Sequence, residues 1–290
     1  MRVAIPAVGA VAAAAGDMDG VDDLLTTLGM CAVPLPGPLG DCPIGREGSR
    51  MEFAVGVTVG LRVERATSHD YCKPTIEGVR KAGFTEDLHL FLEPGAERHV
   101  PSVPGLVLHD NPTQLGCFQN FARSLWWLVE RIPTADWYFM MQDDCLWKPD
   151  SYALMRTTCA DPQYADVGFL SPYTSKAMIP FGTDRRGKPL ASTAPLGWIQ
   201  HKFHNKAFWG AVCMVFPRQA ARDLLAFPRF REHTHTRKLD VVLGNCTRDM
   251  GKAGLVHVPS LCDHIGNFST LGRHKIKGNR WARRGWGFKG

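Results

Sequence analysis

Trp137-Tyr138-Phe139-Met140-Met141-Gln142-Asp143-Asp144 runs five bulky apolar residues without a break into an amide and two adjacent carboxylates. A short, continuous aromatic and unbranched apolar run suits a central strand covered on both faces. In open α/β sheets, ligands sit just beyond the carboxyl ends of such strands. Two carboxylates in that position suit a hard cation: magnesium or manganese takes one or two protein carboxylates and fills its other positions with water or phosphate oxygens. The stretch therefore predicts a phosphorylated substrate beside the acidic pair. The bland alternative is a solvated turn before a helix entered at Lys148-Pro149-Asp150-Ser151.

On both sides of this stretch, strands and helices alternate. Phe53 to Val59 is a β-branched strand, Tyr71 to Ala82 a helix with Pro74 in its first turn, and Leu88 to Leu92 a second strand stopped by Glu93-Pro94-Gly95. Phe118, Phe121, Ala122, Leu125, Leu128 and Val129 recur at helical spacing and deliver the chain to Trp137. Beyond the acidic pair come a helix near Tyr152 to Cys159, a short strand at Val167 to Leu170 and a polar, Gly/Pro-rich excursion from Ser171 to Trp198. The strand Trp209 to Phe216, the helix Arg218 to Ala226, a helix from Lys238 to about Met250 and a last strand from Leu255 to Val258 complete the pattern. Such alternation marks an α/β fold with a mostly parallel sheet.

Composition narrows the class. The chain has 290 residues, 44% hydrophobic and 21% charged, which fits a globular protein and excludes a disordered or fibrous one. Its nine cysteines are odd in number and never spaced C-x-x-C, so neither a zinc ribbon nor a redox motif is indicated and a reducing, cytoplasmic compartment is expected. No run reaches the length of a membrane span. Val3 to Ala15 has the outline of a signal peptide, but Pro6 and Gly9 interrupt it, and an Ala-rich extension is the preferred reading. The Pro/Gly-rich segment Pro34 to Gly40 then separates an N-terminal extension, residues 1–50, from the main domain.

Gly182-Thr183-Asp184-Arg185-Arg186-Gly187-Lys188-Pro189 nearly matches a P-loop, yet Pro189 stands where that motif needs a metal-binding hydroxyl and no strand precedes it. It is not a P-loop. The net charge of +6 is outweighed by Arg273 to Gly290 alone, which carries seven Lys or Arg, no acid, and Trp281, Trp286 and Phe288. Cations interleaved with aromatic rings suit tracking a phosphate backbone while stacking on bases, so DNA is an expected partner of residues 273–290; a solubilising or lipid-attracted tail is the alternative.

Phe53 to Thr58, Gln142-Asp143-Asp144, the strand Trp209 to Phe216, Asp240 and His264-Ile265-Gly266, in that order, resemble a nucleotide-sugar-dependent glycosyltransferase of the GT-A fold over residues 51–272. The resemblance implies one catalytic domain with a Rossmann-like, mostly parallel sheet, a divalent metal (manganese or magnesium) and a nucleotide-sugar donor, a UDP-sugar foremost. Carried over by position, Asp144 is the metal ligand, Asp143 a ribose or second metal contact, and His264 the third ligand. The loop of Thr58, Gly60 and Arg62 faces the nucleotide, and Asp240, near a helix start, is the catalytic base of an inverting enzyme. In a retaining enzyme Asp240 reverts to a cap or an acceptor contact. Gln142 departs from the family's Asp-x-Asp motif at its first position, so the roles of Asp143 and Asp144 are exchangeable. The expected acceptor is a hydroxymethylated pyrimidine in DNA, with a glycan, lipid-linked or protein hydroxyl as the alternative. Two other classes compete: a sugar-phosphate nucleotidyltransferase, which needs a Gly-rich basic loop that Val59-Gly60-Leu61-Arg62 matches poorly, and a non-catalytic nucleic-acid-binding module.

Overall fold

The computed structural model describes residues 51–60, 71–175, 178–179, 194–201, 208, 210–232 and 239–266. Residues 1–50, Arg62, the basic loop 182–189 and the tail 273–290 lie outside the described residues.

An eight-stranded sheet forms the centre, in the order β3-β2-β1-β4-β8-β6-β9-β7. Its strands are β1 (Phe53–Val59), β2 (Leu88–Leu92), β3 (Leu106–Asp110), β4 (Trp137–Gln142), β6 (Phe169–Ser171), β7 (Gly197–Gln200), β8 (Cys213–Pro217) and β9 (Gly254–Val258). β1 to β4 are mutually parallel, β8 runs against both β4 and β6, and β7 runs against β9, which is parallel to β6. Six of the eight strands therefore share one direction, and helices flank them: a mixed α/β fold with a mostly parallel central sheet, as the alternation predicts.

The apolar run sits in the middle of this sheet. β4 pairs with β1 from Phe53↔Trp137 to Thr58↔Gln142 and with β8 on its other side. Tyr138, Phe139 and Met140 are wholly buried, and Phe139 packs against Phe53 and Phe84 at ring distances of 4.9 and 5.4 Å. Burying an aromatic side chain of this size removes 150–250 Å² from water, roughly, which is why the run stays central.

The helices are α1 (Cys72–Lys81), α2 (Gly116–Arg131), α3 (Ser151–Ala160), α4 (Arg218–Ala226), α5 (Pro228–Glu232) and α6 (Leu239–Asp249). The periodic residues of α2 turn Phe118, Phe121, Leu125 and Leu128 into the core. The smaller sheet pairs β5 (Cys145–Trp147) with β10 (Cys262–His264). α1 lies on β5 at a close approach: a Cβ on Gly78 would come within 2.8 Å of Leu146 Cδ1, so glycine sets the depth at which the helix seats.

At the β3 edge, His89 Nδ1 and His109 Nε2 are 3.0 Å apart, with His109 stacked on Phe91 and packed on Trp127. Burial, then the neighbouring His89 and Arg123, pushes the His109 pKa down to about 4, against Asp110, which raises it; burial also lowers His89, against Asp87. One ring must donate and the other accept, so the bond is lost if both rings are protonated. Because the folded pKa lies below the unfolded value, the unfolded chain takes up the proton first, and stability present above about pH 6.5 is lost as pH falls toward about 4. One such proton gives a slope of up to about 1.4 kcal/mol per pH unit, reduced here because His109 is only partly buried. Urea unfolding between pH 7.5 and 4.5 should show this loss, and His109→Gln should flatten it; equal pH dependence in the two proteins would exclude the pair as its source.

Candidate active site at the carboxyl end of β4

The β4 strand ends by passing its chain into a buried turn. Asp143 and Asp144 are 5% and 2% exposed, which rules out the solvated turn. Backbone bonds from Asp143 N–H to Thr58 O (3.0 Å) and from Ile265 N–H to Asp144 O (2.9 Å) clamp the turn between the end of β1 and the residue after β10. Thr75 of α1 donates its hydroxyl to Asp143 O at 2.7 Å. The acids are thus held by their backbone, which leaves their side chains to be aimed.

Each carboxylate is aimed differently. Asp144 Oδ2 meets His264 Nε2 at 2.8 Å, because the β5–β10 ladder places His264 opposite Cys145. Asp143 Oδ2 accepts the Gly60 N–H at 3.2 Å, which ties the acid to the end of β1, where Thr58 Oγ1 donates to Met141 O at 3.2 Å. The structure therefore brings together Asp144 and His264 in one group and Asp143, Thr58 and Gly60 in another, 120 and 83 residues apart in sequence respectively. Gln142, directly before the pair, donates Nε2–H to Ala211 O at 2.9 Å.

Asp240 lies in the first turn of α6. Its Oδ2 accepts the Gly210 N–H at 3.3 Å and its Oδ1 the Val241 N–H at 3.2 Å. Burial raises its pKa above the usual carboxylate range, opposed by the N–H groups of Gly210, Asp240 and Val241. A carboxyl raised in this way is a better proton acceptor than an exposed one.

Sequence reasoning missed Tyr173 and the buried polar groups at the ends of β2 and β3. Tyr173 is 1% exposed, and burial followed by the fields of Cys262, Asp263, Asp144 and Cys145 keeps its hydroxyl protonated. Its ring lies against Gly210, the residue whose N–H reaches Asp240. Buried Glu93 accepts the N–H groups of Leu115 and Gly116 at 2.8 and 2.9 Å, and Arg123 donates to Asn111 Oδ1 at 2.7 Å. These groups line the same carboxyl edge of the sheet as Gly60 and Asp143, since Glu93 N–H bonds Val59 O and Asn111 N–H bonds Leu92 O. Buried acids directly after strands are the signal that could have found Glu93; nothing in the polar excursion distinguishes Tyr173.

The donor set bears on a metal. Among the described residues, no group of three or more His, Cys, Asp or Glu side chains is gathered that could hold an ion. A carboxylate oxygen and an imidazole nitrogen side by side are two donors, too few for a closed four-ligand zinc site. They do suit magnesium or manganese completed by water and substrate phosphate oxygens. No helix among the described residues is long and apolar enough to cross a membrane. The seven cysteines among them are all free thiols.

No protein-family model matches the chain, and no curated protein matches it in sequence. Solved structures do resemble it. The mannose-1-phosphate geranyltransferase of Thermus thermophilus has 13% identity and a TM-score of 0.45 over 71% of this chain and 74% of its own. The mannosyltransferase of Pyrobaculum calidifontis, in complex with GDP-Man and Mn2+, has 14% identity and a TM-score of 0.46 over 78% of this chain and 59% of its own. A cytidylyltransferase of Leptospira borgpetersenii serovar Hardjo-bovis has 11% identity and a TM-score of 0.37 over 64% of this chain and 69% of its own. These neighbours are named as a geranyltransferase, a mannosyltransferase and a cytidylyltransferase.

Proposed function

We propose that the chain is a metal-dependent glycosyltransferase that moves a sugar from a nucleotide-sugar donor to an acceptor hydroxyl. The observation that carries this reading is the buried Asp144 carboxylate at the carboxyl end of β4, paired with His264 at 2.8 Å. Asp144 and His264 are the side chains that would hold manganese or magnesium, which when bound neutralises the charge growing on a leaving diphosphate. Asp143, Thr58 and Gly60 shape the end of β1 for the nucleotide, with Arg62 beside them in sequence; a UDP-sugar is the expected donor. Asp240 takes the proton of the acceptor hydroxyl as its oxygen bonds the anomeric carbon and the bond from that carbon to the diphosphate oxygen breaks. The raised pKa of Asp240 favours this role over a helix cap.

Asp240 argues against a non-catalytic binding module, and the poor match of Val59-Gly60-Leu61-Arg62 to a Gly-rich basic loop argues against a nucleotidyltransferase. A panel of nucleotide sugars with manganese tests the reading by nucleotide release. Activity only with a sugar phosphate and a nucleoside triphosphate would replace it with the nucleotidyltransferase.

The acceptor we propose is a hydroxymethylated pyrimidine in DNA, because residues 273–290 carry seven cations and three aromatic rings without an acid. Removing them should weaken DNA binding and flatten its salt dependence by about one unit of log-log slope, or slightly less, per lost phosphate contact. Donor hydrolysis should survive the truncation. If neither form modifies hydroxymethylated DNA at low salt, a glycan, lipid-linked or protein acceptor takes its place.

A further inference from the structure

We infer that Tyr173 is a positioning residue for Asp240: its ring, seated on Gly210, fixes the backbone N–H that Gly210 donates to the Asp240 carboxylate. The catalytic consequence rests on the transferase reading above; the geometric claim does not. Gly210 has φ +121°, a conformation L side chains rarely adopt. A Cβ built there would lie 2.5 Å from Tyr173 Cε1 and 2.6 Å from Cδ1. The tyrosine ring thus fills the space where any other residue at position 210 would carry its side chain.

This packing matters because the bond it supports has little slack. Gly210 N to Asp240 Oδ2 is 3.3 Å, already at the long end for an N–H···O bond, so a small shift of the turn forfeits it. The turn is gripped from its other side by Gln142, whose backbone N–H bonds Val212 O and whose amide bonds Ala211 O, both at 2.9 Å. Tyr173 supplies the opposing wall. Its own loop is anchored through Ser260, whose single hydroxyl proton goes to Cys262 O at 2.7 Å, with Pro172 O at 3.2 Å as the longer partner, while its oxygen accepts the Thr174 N–H at 3.0 Å. Ser260 leads directly into β10, which carries His264. One buried loop therefore sets both the strand of the His264 side chain and the turn that contacts Asp240.

The experiment compares Tyr173→Phe, Tyr173→Ala and Asp240→Asn in the full chain. Hydrogen exchange of the Gly210 amide and NMR titration of the Asp240 carboxyl are read first. Tyr173→Ala is expected to speed that exchange about tenfold or more and to raise the Asp240 pKa, since a donor to the carboxylate is lost. Tyr173→Phe keeps the ring and should leave both unchanged. If alanine prevents folding, Tyr173→Leu, which retains most of the volume but no flat ring, should move both signals in the same direction. A folded Tyr173→Ala or Tyr173→Leu protein with an unchanged amide and carboxyl overturns the inference, whatever the activity. Transfer of sugar to hydroxymethylated DNA and to water is then measured across pH. Loss in Asp240→Asn with a tenfold loss in Tyr173→Ala supports both claims; normal transfer by Asp240→Asn overturns only the role of Asp240 as base.

Discussion

Asp144→Asn should lower donor turnover by about two orders of magnitude or more, equivalent to roughly 2.7 kcal/mol of transition-state stabilisation, while the protein stays folded. The substitution preserves shape and leaves an amide that can still meet His264, 2.8 Å away in the parent. What it removes is the negative charge that would hold a divalent ion. The backbone of the turn is fixed by other groups, through Thr58 O, Ile265 N–H and the Thr75 hydroxyl, so the loss is expected in chemistry more than in structure. His264→Ala should act in the same direction with a smaller effect, because it removes a neutral ligand and leaves the carboxylate. Raising manganese should partly restore His264→Ala and not Asp144→Asn. Near-parent turnover by folded Asp144→Asn would remove Asp144 from the metal site.

The sequence made the centre of the sheet legible because burial on both faces writes itself as an unbroken apolar run. β1, β2, β4 and the periodic face of α2 all carry that signature. The short strands did not. β3 is only partly buried at the sheet edge, and β5 and β10 have three residues each, too few for a period to register. Yet the β5–β10 ladder is what sets His264 beside Asp144, so the pairing was expected from family resemblance and its physical cause came only from the fold. The apolar run predicts one strand from Trp209 to Phe216, whereas β8 spans Cys213–Pro217. Gly210 explains the difference among the described residues: its positive φ belongs to a turn, and that turn faces Asp240. Ala211 and Val212 are buried there without being extended, so local apolarity reports burial and not a strand.

Asp240→Asn should leave thermal stability nearly unchanged and lower transfer to acceptor by about a hundredfold or more. Asparagine keeps one accepting oxygen, enough for either the Gly210 N–H at 3.3 Å or the Val241 N–H at 3.2 Å, and gives up the other of two long, weak bonds. It cannot take a proton. Because burial raises the Asp240 pKa, parent transfer should climb with pH along a limb above the usual carboxylate range, as the folded enzyme loses that proton. The same shift means that ionised Asp240 costs the fold some stability at neutral pH, since the unfolded chain gives up its proton more readily. Asp240→Asn removes that cost, which offsets the lost bond at pH 7, so the melting temperature should stay close to the parent's there and fall below it under about pH 4. A mutant with parental transfer and a parental pH limb would assign Asp240 to capping and point to a retaining reaction, which needs no base at this place. A mutant that loses transfer and the limb together, while donor hydrolysis persists, identifies Asp240 as the group that receives the acceptor's proton.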